Sequence, residues 1–422
     1  MVIVPRSFIP AVALPPTDPF ASASVDLNFA TGTYVGGSLG SLISVTNSSG
    51  GYVTNADGTL TSIAANTPRI GVGTGLLVEE SRTNIYPDSL SGWSNTSWQL
   101  VTLTTNNTLS PDGATHGALL QETTANGSHS LFISLSKAAS VQTYAATLFM
   151  KPVSSGTPRG IGMYVANSAY SAYCNPYWDA NGNYVGSGAA SGFSVVSILP
   201  TVSYANGWFR IGFVFTTDTD TSFYIYHSLL ISGSNTNYTG DGVSGTYVFG
   251  PQVELGSFPT SYIATTGSTA TRQWDNVTSA GALTTALNGA ASVYMETSGT
   301  QSVAANGYAY FFDAVTSGQP QAYFQNVGQL YLSGTGGNSS LSYTGTPYTG
   351  FLKSAFAWDA TGSSVSSAGL LGTISAAMTL PSTGNWAIAN YSSGSYPQDG
   401  YIPRLTVWNS RLPNTTLTGL TT

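Results

Sequence analysis

The sequence predicts a nearly all-β protein built from two antiparallel β-sandwiches, and three observations carry this prediction. Only 7% of the 422 residues are charged, so Ser, Thr, Asn, Gln and Gly must form most of the polar surface. The chain contains 48 Gly, 20 Pro and 25 Tyr, which suits short strands and tight turns better than helices. Its length exceeds one ordinary domain, so two domains and a shorter appendage are expected.

Residues 1–24 are predicted to form an extended N-terminal arm. The short apolar runs of MVIVPRSFIPAVALPPTDPF are interrupted by Pro5, Pro10, Pro15 and Pro16. Such a segment either lies extended in a groove on another protein or forms a loosely ordered terminus. It has neither the apolar length of a membrane span nor the order of regions in a secretory signal. We therefore expect no membrane insertion and no signal peptide.

The rest of the chain divides into three predicted parts. Residues 25–83 read as a small β segment or connector, in which Ala56-Asp57-Gly58 is typical of a hairpin turn. About eight alternating runs follow over 84–270, and a second, smaller set follows over 271–422. No stretch predicts a helix longer than about three turns.

The charge pattern excludes several classes of function. The net charge of −7 comes from 18 acidic and 11 basic side chains without a basic stripe, which disfavours nucleic-acid binding. The single cysteine, Cys174, cannot form an intrachain disulfide, and no Cys/His spacing suggests zinc. The DANGN stretch fails as a calcium loop, because Tyr184 occupies the sixth position, which requires Gly. No cofactor is expected, although a structural calcium ion held by backbone carbonyls would leave no sequence pattern.

Four local patterns resemble phage and prophage virion proteins. They are NTPRIGVGTGLLVEESRTNIYPDSLSGW, SPDGATHGALLQETTANGSHSL, ANGWFRIGFVF with VFGPQVELGSFPTSYIATTGSTATRQWDNV, and GYIPRLTVWNSRLPNTTLTGL. The resemblance implies a carbohydrate-binding-module-like jelly roll over 84–270 and a concanavalin A-like, or laminin-G-like, sandwich over 271–422. It is more specific for architecture than for a ligand.

This resemblance also implies a function and a location. The chain would be a tail fibre, head fibre or spike component on the virion surface, made in the host cytoplasm. Its partners would be other virion proteins, bound through the arm, and host-surface polysaccharide. A homo-oligomer is expected, with a trimer favoured. Two alternatives stay open, namely a purely structural decoration protein without glycan specificity and a polysaccharide depolymerase.

Sugar-binding residues are predicted in two regions dense in aromatic and amide side chains, because aromatic faces stack on sugars while amides and carboxylates bind hydroxyls. The candidates are Tyr170, Tyr173, Tyr177, Trp178, Asp179, Asn181, Tyr184, Trp386, Tyr391, Tyr396, Gln398 and Asp399. Packing in a core or a subunit interface is the alternative for each aromatic residue. Trp208, Trp358 and Trp408 are predicted to be packing residues.

No catalytic residue is predicted. A glycosidase needs two carboxylates on one cleft floor, whereas the adjacent Glu79 and Glu80 would point to opposite faces of a strand. No Ser or Cys nucleophile pattern accompanies the histidines, and His227 is expected to be a strand residue with a hydrogen-bonded ring. The repeated W-D-A-x-G pattern, at 178–182 and 358–362, is interpreted as two independent hairpin ends.

Overall fold

The computed structural model describes residues 18–90, 93, 96–190, 192–300, 308–314, 320–325, 329–342, 349–375, 378, 380, 384–391 and 397–422. Most of the predicted arm, residues 1–17, lies outside this part of the chain. Residues 18–24 lie on the C-terminal sandwich, where the Phe20 ring stacks 6.3 Å from that of Trp408. The Arg404 guanidinium lies 3.5 Å from the centre of the same Phe20 ring.

Short elements make up the described structure. The first group is β1 (Val25–Asn28), β2 (Thr33–Val35), α1 (Leu39–Leu42), β3 (Ile43–Thr46), β4 (Gly51–Thr54), β5 (Leu60–Ile63), β6 (Ile70–Gly71), β7 (Gly75–Val78) and β8 (Arg82–Asn84). The second group is β9 (Ser97–Gln99), β10 (Val101–Thr108), β11 (Gly117–Glu122), β12 (Asn126–Ser128), β13 (Ser130–Ser136), β14 (Thr143–Pro152), β15 (Gly160–Ala166), β16 (Tyr173–Trp178), β17 (Tyr184–Ala189), β18 (Ser194–Ile198), β19 (Val202–Tyr204), β20 (Trp208–Thr216), β21 (Ser222–Leu230), β22 (Asn237–Thr239) and β23 (Gly245–Leu255). The third group is β24 (Ala270–Arg272), β25 (Asn276–Ser279), α2 (Gly281–Leu287), β26 (Ala291–Thr300), β27 (Tyr308–Ala314), β28 (Gln321–Gln325), β29 (Gln329–Gly334), β30 (Gly337–Ser342), β31 (Thr349–Asp359), β32 (Gly362–Ser367), β33 (Leu370–Leu371), β34 (Trp386–Ile388), β35 (Gly400–Trp408) and α3 (Asn414–Leu420).

The predicted all-β class is confirmed, because antiparallel sheets dominate and the longest helices of the described chain have seven residues. Within that part of the chain, no helix has the length and apolar character needed to cross a bilayer. Ala56-Asp57-Gly58 forms the predicted hairpin turn, since β4 pairs with β5 and Gly58 has φ +79°.

The jelly-roll sandwich is formed by two antiparallel sheets. One has the order β10-β11-β23-β14-β20-β18, with β19 also beside β20, and the other has the order β17-β16-β15-β21-β13-β9. Successive long strands change sheet, since β14 and β20 lie in the first and β15 and β21 in the second. The sheets enclose an apolar core that includes Leu131, Ile161 and Phe213.

The C-terminal sandwich includes strands from residues 25–83, the segment predicted to be a connector. One of its sheets has the order β2-β1-β35-β26-β31-β32-β33, and the other has the order β3-β25-β34-β27-β28-β29-β30. Strand β1 pairs with β35, placing Val25 opposite Val407. Val25, Leu27 and Val78 lie in the same core as Val407, so residues 25–83 are not a separate connector. The jelly roll is an insertion between the two parts of this sandwich.

A buried ionic network joins the two sandwiches. The Arg69 guanidinium contacts both Asp275 and Glu79, its Nη2 lying 2.9 Å from Glu79 Oε2. Ser261, at the end of the jelly roll, donates its backbone N–H to Glu79 Oε1 at 2.7 Å. Burial acts to raise the pKa of Glu79, but Arg272, Arg69 and the Ser261 hydrogen bonds outweigh it and hold the pKa at about 2. Residues of the motifs at 66–93 and 248–277 therefore hold the sandwiches together.

Candidate functional site

A groove of about 440 Å³ runs over the outer face of the β17-β16-β15-β21-β13-β9 sheet. Its floor is one row of small residues in register, namely Gly162 on β15, Ser228 on β21 and Ser130 on β13. Tyr177 extends this row at one end and Gln99 at the other. Small side chains between larger ones leave a trough across the strands.

The next row of the sheet forms an aromatic wall beside this floor. Tyr164, Tyr226 and Phe132 are cross-strand neighbours on β15, β21 and β13. The Phe132 and Tyr226 rings stack with centroids 4.5 Å apart, and the Tyr164 ring meets Tyr226 edge-on at 5.6 Å. From the loop before β16, the Tyr170 hydroxyl hydrogen-bonds to that of Tyr226. The wall therefore consists of rings that hold one another in place.

Strand alternation places these side chains on the outer face. In β15, Ile161, Met163 and Val165 point into the core, so Gly162 and Tyr164 between them point outward. Strand β21 follows the same rule, because Phe223 and Ile225 are buried whereas Tyr224 and Tyr226 are half-buried on the outside. The groove is thus a direct product of two alternating sequences.

The Tyr177 ring is fixed from two directions. A Cβ atom on Gly162 would lie only 3.0 Å from Tyr177 Cδ1, so glycine at this position makes room for the ring. The Asn175 side chain donates a hydrogen bond to the Tyr177 hydroxyl, while its Oδ1 accepts one from the Gly188 N–H at 2.9 Å. Tyr177 is therefore held in position without a ligand.

Tyr170 is held by a tight turn. Asn167 Oδ1 accepts a hydrogen bond from the Ser171 N–H, and Asn167 Nδ2 donates to Asp218 Oδ2, both at 3.0 Å. Tyr170 has φ +56° and stacks on the Tyr224 ring at 5.7 Å with an interplanar angle of 7°. A ring ordered in this way loses little conformational entropy when a ligand binds.

The described residues that line the groove are all uncharged. They are Gln99, Ser128, Ser130, Gly162, Tyr164, Tyr170, Asn175, Tyr177, Tyr226, Ser228 and Thr236. Burial, and then the neighbouring tyrosines, raise the pKa of Tyr164 to about 12. Burial likewise raises the pKa of Tyr226 above its ordinary value. These hydroxyls keep their protons near neutral pH, and each can both donate and accept hydrogen bonds.

Of the sugar-binding residues predicted in the first region, some line the groove and others do not. Tyr170 and Tyr177 line the groove, and Tyr173 packs beside it with its ring 5.2 Å from Tyr164. Trp178 is completely buried in the jelly-roll core. Its prediction as a sugar platform is wrong, because its strand neighbour Tyr177 faces outward and adjacent strand residues face opposite sides.

The other three residues of that region lie at the β16-β17 hairpin. Asp179 Oδ1 accepts hydrogen bonds from the N–H groups of Asn181 and Asn183, both at 2.9 Å, so it stabilises the turn. Tyr184 is exposed at the start of β17. The lining of the groove includes none of Asp179, Asn181 and Tyr184. The interpretation of this W-D-A-x-G copy as a hairpin end is confirmed, and β31 and β32 form the second hairpin.

Most of the second predicted region is buried. Trp386 stacks on Trp358 in the C-terminal core, with ring centroids 5.6 Å apart. Gln398 and Asp399 are also buried, and Asp399 Oδ1 accepts a hydrogen bond from the Glu80 N–H at 2.8 Å. Because burial and nearby Glu80 raise the pKa of Asp399, this carboxyl belongs to the interior. The prediction of Trp386, Gln398 and Asp399 as sugar-binding residues is wrong.

Tyr391 and Tyr396 complete that second region. Tyr391 is half-buried, with its ring 5.0 Å from that of Tyr310 on β27. Tyr396 lies outside the described residues.

Several groove residues were not predicted. Tyr164 and Tyr226 form the wall, and Gly162, Ser130 and Ser228 form the floor. The alternation of GIGMYVA and SFYIYHSLL could have placed both tyrosines on an outer face. The pairing of β15 with β21 could not have been read from alternation, and it is this pairing that makes one site of them.

Predictions about the interior are mostly confirmed. Trp208, Trp358 and Trp408 are buried, as expected for packing residues. His227 is buried on β21, but neither ring nitrogen has a hydrogen-bond partner, so the expected hydrogen bond is absent. Burial lowers the pKa of His227 to about 3. Among the described residues, no group of three or more His, Cys, Asp and Glu side chains could hold a metal ion.

Comparisons with known proteins add two low-identity structural similarities. No protein-family model matches the chain, and no curated protein matches it. The CBM40 module of the Ruminococcus gnavus IT-sialidase is 16% identical, with a TM-score of 0.28 over 33% of this chain and 86% of that one. Domains LG4-5 of the mouse laminin alpha1 chain are 10% identical, with a TM-score of 0.21 over 80% of this chain and 92% of theirs. Similarity at this level does not identify a ligand for this chain, so the ligand class must follow from the residues that line the groove.

Proposed function

We propose that this chain is a non-catalytic glycan-binding protein and that the jelly-roll groove binds an uncharged oligosaccharide. The observation that carries this proposal is the row Tyr177, Gly162, Ser228, Ser130 and Gln99, flanked by an aromatic wall. The volume of about 440 Å³ falls within the range of roughly 300–1,000 Å³ found for small-ligand sites.

The lining supplies both kinds of contact that a sugar needs. The faces of Tyr164 and Tyr177 can cover the C–H surface of a pyranose ring. The Asn175 and Gln99 amides, with the Ser130 hydroxyl, offer donors and acceptors to sugar hydroxyls. Because the lining residues that the structure describes include no lysine or arginine, they offer no countercharge to a sialic acid carboxylate or a phosphate. A neutral glycan is therefore the ligand class that fits.

The same lining argues for binding without catalysis. Glycoside hydrolysis generally requires a pair of carboxyl groups beside the scissile bond. In the described part of the chain, neither Asp nor Glu is among the residues that line the groove. The proposed binding needs no cofactor.

We further propose that the chain is a phage virion appendage exposed on the particle surface, with host polysaccharide as its glycan. The supporting observation is the resemblance of four sequence patterns to virion proteins, two of which contribute the Arg69, Glu79 and Asp275 network. Residues 1–24 would attach the chain to another virion protein. A homo-oligomer, with a trimer favoured, would multiply weak sites through avidity.

A glycan array with purified wild-type protein and a Tyr164→Ala/Tyr226→Ala variant tests the binding function. The wild type should bind neutral glycans, and the variant should lose at least about tenfold in affinity, or ~1.4 kcal/mol. Phe351→Ala is the control, since this exposed aromatic residue lies on the other sandwich. Equal binding by wild type and double variant would exclude the groove. The virion role is tested by deleting residues 1–17, which should abolish incorporation into particles.

A further inference from the structure

A second uncharged aromatic surface lies on the C-terminal sandwich. Tyr310, Tyr323, Tyr331 and Ser340 form one row in register across β27, β28, β29 and β30. The Tyr310 and Tyr323 centroids are 5.2 Å apart, and the Tyr323 and Tyr331 rings stack at 5.3 Å. We name the Tyr310, Tyr323 and Tyr331 row, with its flanking Gln325 and Gln329, the tyrosine ladder.

Strand alternation turns the ladder away from the core. On β28, Ala322 and Phe324 are buried, whereas Tyr323 between them is half-buried on the opposite face. On β29, Leu330 and Leu332 are buried in the same way around Tyr331. The ladder is therefore the outer face of this sheet.

Amide side chains border the tyrosine row. Gln325 on β28 lies opposite Gln329 on β29, and Gln329 lies opposite Ser342 on β30. The Tyr331 hydroxyl donates a hydrogen bond to Gln329 Oε1, which orients the amide. Each amide supplies both donors and acceptors, as sugar hydroxyls require.

Charged side chains are sparse on this face, where the described residues include one carboxylate, the buried Asp313, which lies opposite Gln321 at the β27 end of the sheet. No Asp, Glu, Lys or Arg occurs in the sequence between Asp313 and Lys353. Exposed sheet surfaces ordinarily carry charged side chains, which keep proteins soluble and apart. The half-exposed part of this face, Tyr323 and Tyr331 with Gln325 and Gln329, is uncharged and matches the chemistry of the jelly-roll groove.

We propose that the tyrosine ladder is a second binding surface for uncharged polysaccharide, so that each chain has two glycan sites. Tyr323 and Tyr331 would lie under consecutive sugar rings, the buried Tyr310 ring would support Tyr323 from the side, and Gln325 and Gln329 would bind the sugar hydroxyls. The row crosses four strands and so covers about 14 Å. Two sites on one polymer increase avidity without any new contact.

Footprinting of the intact chain tests this surface separately from the groove. Tyrosines are nitrated with tetranitromethane in the presence of dextran, glucomannan, xylan or galactan, and modified peptides are measured by mass spectrometry. The ladder predicts that at least one of these polymers protects Tyr323 and Tyr331. Protection of Tyr164 and Tyr226 reports on the groove instead. A lack of protection at Tyr323 and Tyr331 with all four polymers would overturn the ladder proposal, whatever happens in the groove.

Affinity electrophoresis through the protecting polymer supplies the second readout. In a Tyr164→Ala/Tyr226→Ala background, residual binding should weaken at least about fivefold on adding Tyr323→Ala/Tyr331→Ala. Gln325→Ala/Gln329→Ala replaces that change if the tyrosine variant does not fold, and Phe351→Ala is the matched control. Unchanged binding would overturn the proposal. A change in sedimentation mass with unchanged binding would show instead that the ladder contacts a second copy of the chain.

Discussion

Gly162 decides whether the groove is open. It occupies the floor at the point where the Tyr177 ring lies closest to the strand, and a methyl group there would meet that ring at 3.0 Å. Glycine in a strand interior ordinarily reduces stability, because it loses more conformational freedom on folding. At this position glycine reduces stability but leaves the space that the Tyr177 ring occupies.

We predict that Gly162→Ala weakens glycan binding while leaving the fold intact. The added methyl group would displace the half-exposed Tyr177 ring into the trough, so affinity should fall about tenfold. The free energy of unfolding should change by less than about 1 kcal/mol, because the gain from removing a strand glycine offsets the local crowding. Calorimetric titration and chemical denaturation measure the two quantities. A drop in both together would mean that Gly162 is only structural.

His227 lies directly beneath the groove floor, next to Ser228 in the sequence. Its ring meets the rings of Tyr86 and Trp93 at 5.9 and 6.0 Å, in an interior that also leaves the Tyr86 hydroxyl without a partner. Burial lowers the pKa of His227 from 6.5 to about 3. Between these values the unfolded chain binds a proton that the folded chain does not.

The protein should therefore lose stability on mild acidification. The contribution of a neutral His227 is fully present above pH 6.5 and falls as the pH decreases toward 3, by up to about 1.4 kcal/mol per pH unit. From pH 7 to 5 the free energy of unfolding should drop by about 2 kcal/mol, and His227→Phe should remove most of this drop. Denaturant titrations at both pH values measure it. Tyr86→Phe, which changes the same cluster without titrating in this range, should keep the wild-type difference, and an equal difference in His227→Phe would contradict the assignment.

The residue types in the sequence indicated a sugar-binding site but did not indicate which residues form it. Tyr170 and Tyr177 could be chosen from sequence because tyrosines and asparagines cluster there. Trp178 could have been excluded, since a strand cannot direct Tyr177 and Trp178 to the same face. Trp386 could not, because its burial depends on Trp358 and other distant strands.

At the scale of elements, the motifs that resemble virion proteins form the junction. Arg69 and Glu79 precede the jelly roll, Ser261 ends it, and Asp275 begins the return to the second sandwich. Removing one partner of such a buried ionic network typically costs about 3–5 kcal/mol, since another charge then stays uncompensated. The position of these four residues in the chain is thus explained by the fold architecture.

The alternation of apolar and polar residues predicted the strands well, but it predicted poorly which distant strands pair. Runs such as SLFISLS and GIGMYVA correspond to β13 and β15. Residues 25–83 were misinterpreted because β1 and β35 pair across almost the whole chain. Hydrophobic periodicity states which face of a strand is buried, but it contains no information on which strand lies beside it.

At the scale of the whole molecule, the jelly roll interrupts a sandwich made of both chain ends. This arrangement predicts unequal behaviour of two fragments. Residues 84–265 have their own core and should fold alone, whereas 271–422 lack β1, β3 and β7 and should not. Joining residues 18–80 to 272–422 by a short linker should restore a cooperative unfolding transition, measured by circular dichroism. A stable fragment 271–422 would show that the N-terminal strands are dispensable.

The two proposed glycan surfaces lie on different sandwiches, so the insertion also sets their spacing. The buried ionic junction would hold the groove and the tyrosine ladder at a fixed spacing along one polymer chain. Such spacing favours long polysaccharides over short oligosaccharides, because only a long chain can occupy both sites.

The most direct test of the groove is a calorimetric titration of its preferred array glycan at low and high salt. The wild type should bind an uncharged glycan with the same affinity at about 50 mM and about 500 mM NaCl, because no ion pair contributes to binding. The Tyr164→Ala/Tyr226→Ala variant should lose at least about tenfold in groove affinity at both concentrations. A preference for acidic glycans that weakens with salt, or undiminished groove binding by the double variant, would contradict the assignment.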